Sequence, residues 1–170
     1  MSDNRVEIGS GRGVIVADTG GTWYVSSDAP SARLADVAAA VKERPAGRLL
    51  ARRLAALLTS DAADDVPPFG LVAEMDEGVL VFLSGAVEAA VTASDGTRTV
   101  LSGRSAATWI DRVFADDVDS IVVAPSVDDV PTTAPPFSLA VGVVPGGWFR
   151  RGAPGAVGDR DDDAAPRNAD

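Results

Sequence analysis

The sequence predicts an α+β fold: a strongly curved antiparallel sheet, barrel-like in its closure, packed against two consecutive helices and followed by a disordered acidic tail. Three observations predict it. Two stretches in the first third repeat apolar residues at helical spacing, the middle switches to short β-rich runs joined by turn residues, and the end loses its larger apolar side chains. With 170 residues and 46% hydrophobic content, the chain has the length of one domain and enough apolar material for a core. The expected division is one α+β domain over residues 1–149 and a tail over residues 150–170.

Taken in order, Val14–Ala17 and Thr22–Val25 are β-branched and aromatic runs around Gly20 and Gly21, and read as two short strands. Pro30 and Ser31 offer a helix start, after which Leu34, Val37, Ala38 and Val41 recur at i, i+3, i+4, i+7. Pro45 and Gly47 end that helix. A second is expected over residues 48–59, with Leu50, Leu54, Leu57 and Leu58 inward. Phe69–Met75 and Gly78–Ser84 then flank a short acidic turn, and Ala86–Thr92 and Thr97–Leu101 flank Asp95-Gly96, whose glycine supplies the positive φ of a tight hairpin. These strands are expected as a four-stranded meander. Val79–Leu83 is apolar at every position, so that strand is covered on both faces, either by the helices or by closure of the sheet on itself. Residues 106–114 are expected as a short helix or turn carrying Trp109, Ser120–Ala124 as a strand, Asp128–Pro136 as a connector, and Phe137–Val144 as a return to the sheet. Past Arg150 only Val157 is a larger aliphatic, too little apolar area to offset the entropy of ordering the acidic run Asp159–Asp163.

Cysteine and histidine are both absent. That excludes disulfides, Ser-His-Asp and Cys-His nucleophilic sites, and zinc held by thiolate or imidazole. Carboxylate chemistry, oxygen-ligated Mg²⁺ or Ca²⁺, or no chemistry remains. The net charge of −10 repels nucleic acid and anionic membranes, so neither is expected as a partner. No apolar run approaches the ~18 residues of a membrane span, and the first residues lack a signal-peptide pattern. A cytoplasmic protein without membrane insertion is expected.

Asp18-Thr19-Gly20 matches the Asp-Thr-Gly signature of aspartic proteases, in which one such carboxylate per subunit shares a proton and activates water. Read as Asp18–Thr22, the same residues also resemble the first phosphate loop of actin and hexokinase superfamily sugar kinases. The plainer reading is a hairpin tip, with Trp23 and Tyr24 on opposite faces. Arg44, Arg48 and Arg52 stand at i, i+4, i+8 and would line one helix face, either as a docking stripe for an acidic partner or for the chain's own acidic tail, or as solvated side chains whose stems cover apolar neighbours. Trp148 and Phe149, after a Pro-Gly-Gly turn, either tack down the chain end or form an aromatic contact patch. The runs Asp128-Asp129 and Asp161–Asp163 lack the ligand spacing of an EF-hand and read as solvated acids, so no metal and no cofactor is expected.

Pro68–Ala73, Gly78–Glu88, Ser102-Gly103-Arg104 with Thr108–Arg112, and Leu139–Gly147 together resemble the N-terminal region of actinobacterial forkhead-associated (FHA) domain proteins. The resemblance covers most of residues 10–149. It implies a companion domain in a phospho-signalling or envelope-associated setting, with phosphothreonine recognition belonging to an FHA domain that these residues do not include. Gly103-Arg104-Ser105 is not itself an FHA recognition loop, because that loop works with a Ser-x-x-His element and the chain has no histidine. The expected function is a non-enzymatic protein-interaction or regulatory module with a protein partner. Arg44, Arg48, Arg52, Trp148 and Phe149 are the candidate binding residues, and the alternative is a dimeric, retroviral-type aspartic protease built on Asp18.

Overall fold

The computed structural model describes residues 6–18, 20–26, 67–115, 117–132 and 137–152, together with Leu49, Arg52, Arg53, Ala55, Ala56 and Thr59. Twelve strands account for nearly all of the described residues: β1 (Val6–Gly9), β2 (Val14–Asp18), β3 (Gly21–Val25), β4 (Phe69–Met75), β5 (Gly78–Ser84), β6 (Glu88–Ala93), β7 (Arg98–Ser102), β8 (Trp109–Phe114), β9 (Val118–Ala124), β10 (Phe137–Leu139), β11 (Gly142–Pro145) and β12 (Trp148–Gly152). They form two six-stranded antiparallel sheets. Sheet A has the order β10-β1-β12-β9-β6-β7 and sheet B the order β11-β2-β3-β4-β5-β8.

This overturns the α+β expectation. Among the described residues the two sheets pack on each other, because both carry an alternating apolar row that the other can cover. Val6, Ile8, Ala89, Val91, Ile121, Val123 and Phe149 of sheet A meet Ile15, Tyr24, Val72, Val81 and Leu83 of sheet B in one buried core. Gly70 sits in that contact without a side chain, since a Cβ there would lie 2.5 Å from Val123 Cγ1. The first expected helix lies outside the described residues. Of the second, Leu49, Arg52, Arg53, Ala55 and Ala56 are helical, and the Thr59 N–H and hydroxyl both donate to the Ala55 carbonyl.

The two hairpins β4–β5 and β6–β7 form as expected, with Asp95 accepting from the Thr97 N–H at the second turn, a bond that lowers its pKa. They do not make a meander. At Gly85, with φ at +71°, the chain leaves sheet B and enters sheet A. Trp109 belongs to a strand, β8, and not to a helix or turn, and its ring closes a row across sheet B. The centroids of Trp23 and Phe69 lie 6.5 Å apart, those of Phe69 and Phe82 5.9 Å, and those of Phe82 and Trp109 6.2 Å. That row, with Val25, Leu71, Ala73 and Leu80, makes the outer face of sheet B a second buried apolar layer. Val79–Leu83 is therefore covered on both faces, as its composition requires.

The C-terminal boundary also moves. Arg150, Arg151 and Gly152 are strand residues, paired with Glu7, Val6, Val122, Ile121 and Ser120, so they belong to the domain and not to the tail. Residues 153–170, expected as the disordered tail, lie outside the described residues. Arg151 reaches from sheet A to the Glu74 carboxylate of sheet B. Burial lowers the pKa of its guanidinium, while the Glu74 charge and hydrogen bond act in the opposite direction.

Two links between the sheets lie side by side. Ser10–Gly13 carries β1 into β2, and Gly146-Gly147 carries β11 into β12. The Gly147 N–H donates to the Gly9 carbonyl at 2.9 Å, and the Gly146 N–H to the Gly13 carbonyl at 3.1 Å. The Tyr24 hydroxyl donates to the Arg12 carbonyl at 3.0 Å, fixing the first link from within the core. A Cβ on Gly147 would lie 2.6 Å from Gly11 Cα and 2.7 Å from the Ser10 carbonyl oxygen. Gly147→Ala is thus expected to cost about 1–3 kcal/mol in urea unfolding. At Gly96, where φ is +84° and no atom lies within 4 Å of the Cβ position, the cost is set by the backbone alone: Gly96→Ala is expected to cost about 1–2 kcal/mol in urea unfolding and Gly96→Asn less.

Burial raises the Tyr24 pKa above its ordinary value of 10.0. Below pH 10 the phenol is protonated in folded and unfolded chains alike, so its contribution to stability is fully present. Above that pH the unfolded chain ionises first, and stability falls as pH rises toward the folded-state pKa. Tyr24 is the chain's single tyrosine, so tyrosinate absorbance reports it directly. Tyr24→Phe is expected to cost about 1 kcal/mol at neutral pH and to abolish this alkaline loss in unfolding curves.

Candidate functional site

Asp18 ends β2 and pairs with Gly21, so the Asp-Thr-Gly-Gly segment closes the β2–β3 hairpin. Strand alternation puts its half-buried side chain on the outer face of sheet B with Val16, while Ile15 and Ala17 are buried. Trp23 joins the outer aromatic row and Tyr24 the interlayer core, on opposite faces as the hairpin reading requires.

Arg44 and Arg48 lie outside the described residues, and Arg52 is an exposed helical residue. Trp148 is buried on the outer face of sheet A with Ala90, Ala124 and Val127, and the Arg150 guanidinium stands 5.5 Å from its ring centroid. Gly9 passes so close beneath the indole that a Cβ would overlap it. Phe149 is fully buried between the sheets. Neither aromatic offers a surface to a partner. They anchor the last strand, and Arg150 extends that anchoring by donating to Glu7 at 3.1 Å and to the Pro131 carbonyl at 2.9 Å.

Polar groups on the outer face of sheet A hold its loops. Glu88 accepts from the Val127 N–H at 3.2 Å and from the Ser102 hydroxyl at 3.4 Å, holding the 3-10 turn Val127–Asp129 against β6. Asp128 lies 3.9 Å from Arg98. Among the described residues no group of three or more acidic residues is placed to hold a metal ion, and no helix is long and apolar enough to cross a membrane.

What sequence reasoning missed is an edge. Each sheet has an edge strand on the same side of the sandwich, β10 in sheet A and β11 in sheet B, joined by the short link Ala140-Val141. Phe137, Val141 and Val143 are 67%, 65% and 66% exposed there, the most exposed large apolar side chains among the described residues. Val143 stands beside Val16 and extends the apolar outer face of sheet B to its margin, whereas Phe137 stands beside Ile8 at the open mouth between the sheets. The opposite edge, β7 with β8, is different. It carries Arg98, Asp111 and Arg112, with the Arg112 guanidinium 4.9 Å from the Phe114 ring centroid. Charged side chains are one usual protection of a free edge; β10 and β11 have none, and are instead short, with Pro145 closing β11. The signal was present in the sequence: no charged residue occurs from Val130 to Phe149, in a chain in which 24% of residues are charged.

Comparison of the chain with family models, with curated proteins and with solved structures finds no significant match. The functional reading therefore stands on this geometry. If Phe149 is an anchor, Phe149→Ala is expected to destabilise the whole sandwich by about 3–5 kcal/mol in chemical unfolding. Arg52→Glu, at an exposed position, is expected to leave the unfolding midpoint within about 0.5 kcal/mol of wild type.

Proposed function

We propose that this chain is a non-enzymatic protein-interaction module that engages its partner through the uncharged edge made by β10 and β11. The carrying observation is the contrast between two edges of one sandwich. The β7–β8 edge has the charges that keep a free edge solitary, and the β10–β11 edge exposes Phe137, Val141 and Val143 without a charge beside them in the strands. The lack of histidine and cysteine favours binding over nucleophilic chemistry. The resemblance to the N-terminal region of actinobacterial FHA proteins is in keeping with a companion module, working in a phospho-signalling or envelope-associated setting. The chain's net charge of −10 favours a neutral or basic partner over an acidic one.

Site-specific photo-crosslinking in the native host tests this. A photo-reactive residue at Val143 is expected to give discrete heterologous adducts that one at Val100, on the opposite edge, does not give. Val143→Asp, at an exposed strand position, is expected to leave folding intact and to remove the adducts formed from Val141. Equal adduct patterns from Val143 and Val100, or none from either, would overturn the reading.

A further inference from the structure

The β10–β11 edge also says how a partner would be held. Resting on the interaction reading above, we infer that the partner contributes an extended, uncharged apolar peptide that adds to sheet B as a further strand along β11.

The argument starts from the backbone of β11. Among the described residues the strand pairs with β2 alone, in the register Gly142↔Ala17, Val143↔Val16, Val144↔Ile15 and Pro145↔Val14. Just beyond it, the Gly146 N–H donates to the Gly13 carbonyl. In an antiparallel ladder, backbone groups alternate between the two sides of a strand. Gly142 and Val144 therefore turn theirs to β2 in step with Gly146. The N–H and C=O of Val143 and the C=O of Pro145 face outward, where a further strand would pair with them.

Side chains define the peptide. An added strand alternates its own side chains between the two faces of the sheet. One row would lie beside Val141 and Val143 on the outer face, and the other would enter the mouth between the sheets beside Phe137. Both surroundings are apolar, so both rows favour β-branched or other apolar side chains. The net charge of −10 disfavours acidic ones.

The same geometry argues against a second copy of the chain as the occupant. Three partly exposed side chains fall well short of the roughly 800 Å² per partner that a stable dimer buries. Two copies would also bring their like charges together. An added peptide strand needs little area, because main-chain hydrogen bonds carry the recognition.

The experiment uses the full chain and a fluorescent Val-Thr-Val-Thr-Val peptide with flanking lysines, followed by anisotropy and amide hydrogen exchange. Saturable binding is expected, with slowed exchange at Val143 and no change along β7. Methylating alternate peptide nitrogens, in each of the two phases, keeps the side chains but removes one set of donors. In one phase the affinity is expected to fall about tenfold or more. Val143→Asp is expected to abolish binding while the far-ultraviolet circular dichroism stays that of wild type. No binding, insensitivity to both methylation phases, or protection of β7 in place of β11 would overturn the inference. Protection of Val143 that follows protein concentration without peptide would assign the edge to self-association and overturn it as well. Heterologous crosslinks at Val143 that persist beside a negative peptide result would sink strand addition and leave the interaction reading intact.

Discussion

The sandwich depends on one close approach between two stretches of backbone. The chain passes from sheet A to sheet B at Ser10–Gly13 and from B to A at Gly146-Gly147, and these links lie against each other with no side chain between Gly11 and Gly147. A methyl group at either position would meet backbone, which cannot swing aside as a flexible side chain does. The contact fixes where β1, β2, β11 and β12 stand, and with them the register of both sheets. The core inherits its alignment from that arrangement: Ile8 and Phe149 reach Ile15 and Tyr24 because the links hold their strands across from one another. Tyr24 reinforces the arrangement by tying its hydroxyl to the Arg12 carbonyl.

Much of the strand content was legible in the sequence. The β2–β3 hairpin, the runs Phe69–Met75 and Gly78–Ser84, and the Asp95-Gly96 turn carry local signals, a period of two and a turn residue with a defined φ, and each formed. The assignment of strands to sheets carries no local signal. Nothing in Ser84–Val87 says that the chain will change layers at Gly85, so two hairpins in series looked like one meander. Trp109 lies in a strand and not in the expected helix or turn for a related reason, since a ring that completes an aromatic row takes its meaning from Phe82 on a neighbouring strand. The helical periodicity at residues 31–59 pointed to a fold of one sheet with two helices, whereas the pattern of two within the strands already allowed two sheets to cover each other.

The candidate surface was less legible than the fold. Trp148 and Phe149 are large aromatics after a Pro-Gly-Gly turn, a pattern that fits a contact patch as well as an anchor. The two residues after them, Arg150 and Arg151, are what reveal a strand: one pairs with Glu7 across its own sheet, the other crosses to Glu74. The informative feature was an absence spread over many positions, the charge-free run from Val130 to Phe149. Such a run reads equally as buried core or as open edge. Only strand order separates the two, and it puts Phe149 in the centre and Val143 at the margin.

The partners of β1 have a kinetic meaning. Val6–Gly9 pairs on one side with β12 and on the other with β10, so both of its neighbours come from the far end of the sequence. During synthesis this strand stays unpaired while nearly all of the domain is made, and the Glu7–Arg150 bond spans 143 positions. The loop-closure entropy of such contacts is met before they return any stabilisation, which puts the chain among the high-contact-order, slow-folding topologies. Sheet A is completed only when β12 arrives between β1 and β9, so its last-made strand is also the one that joins its two halves.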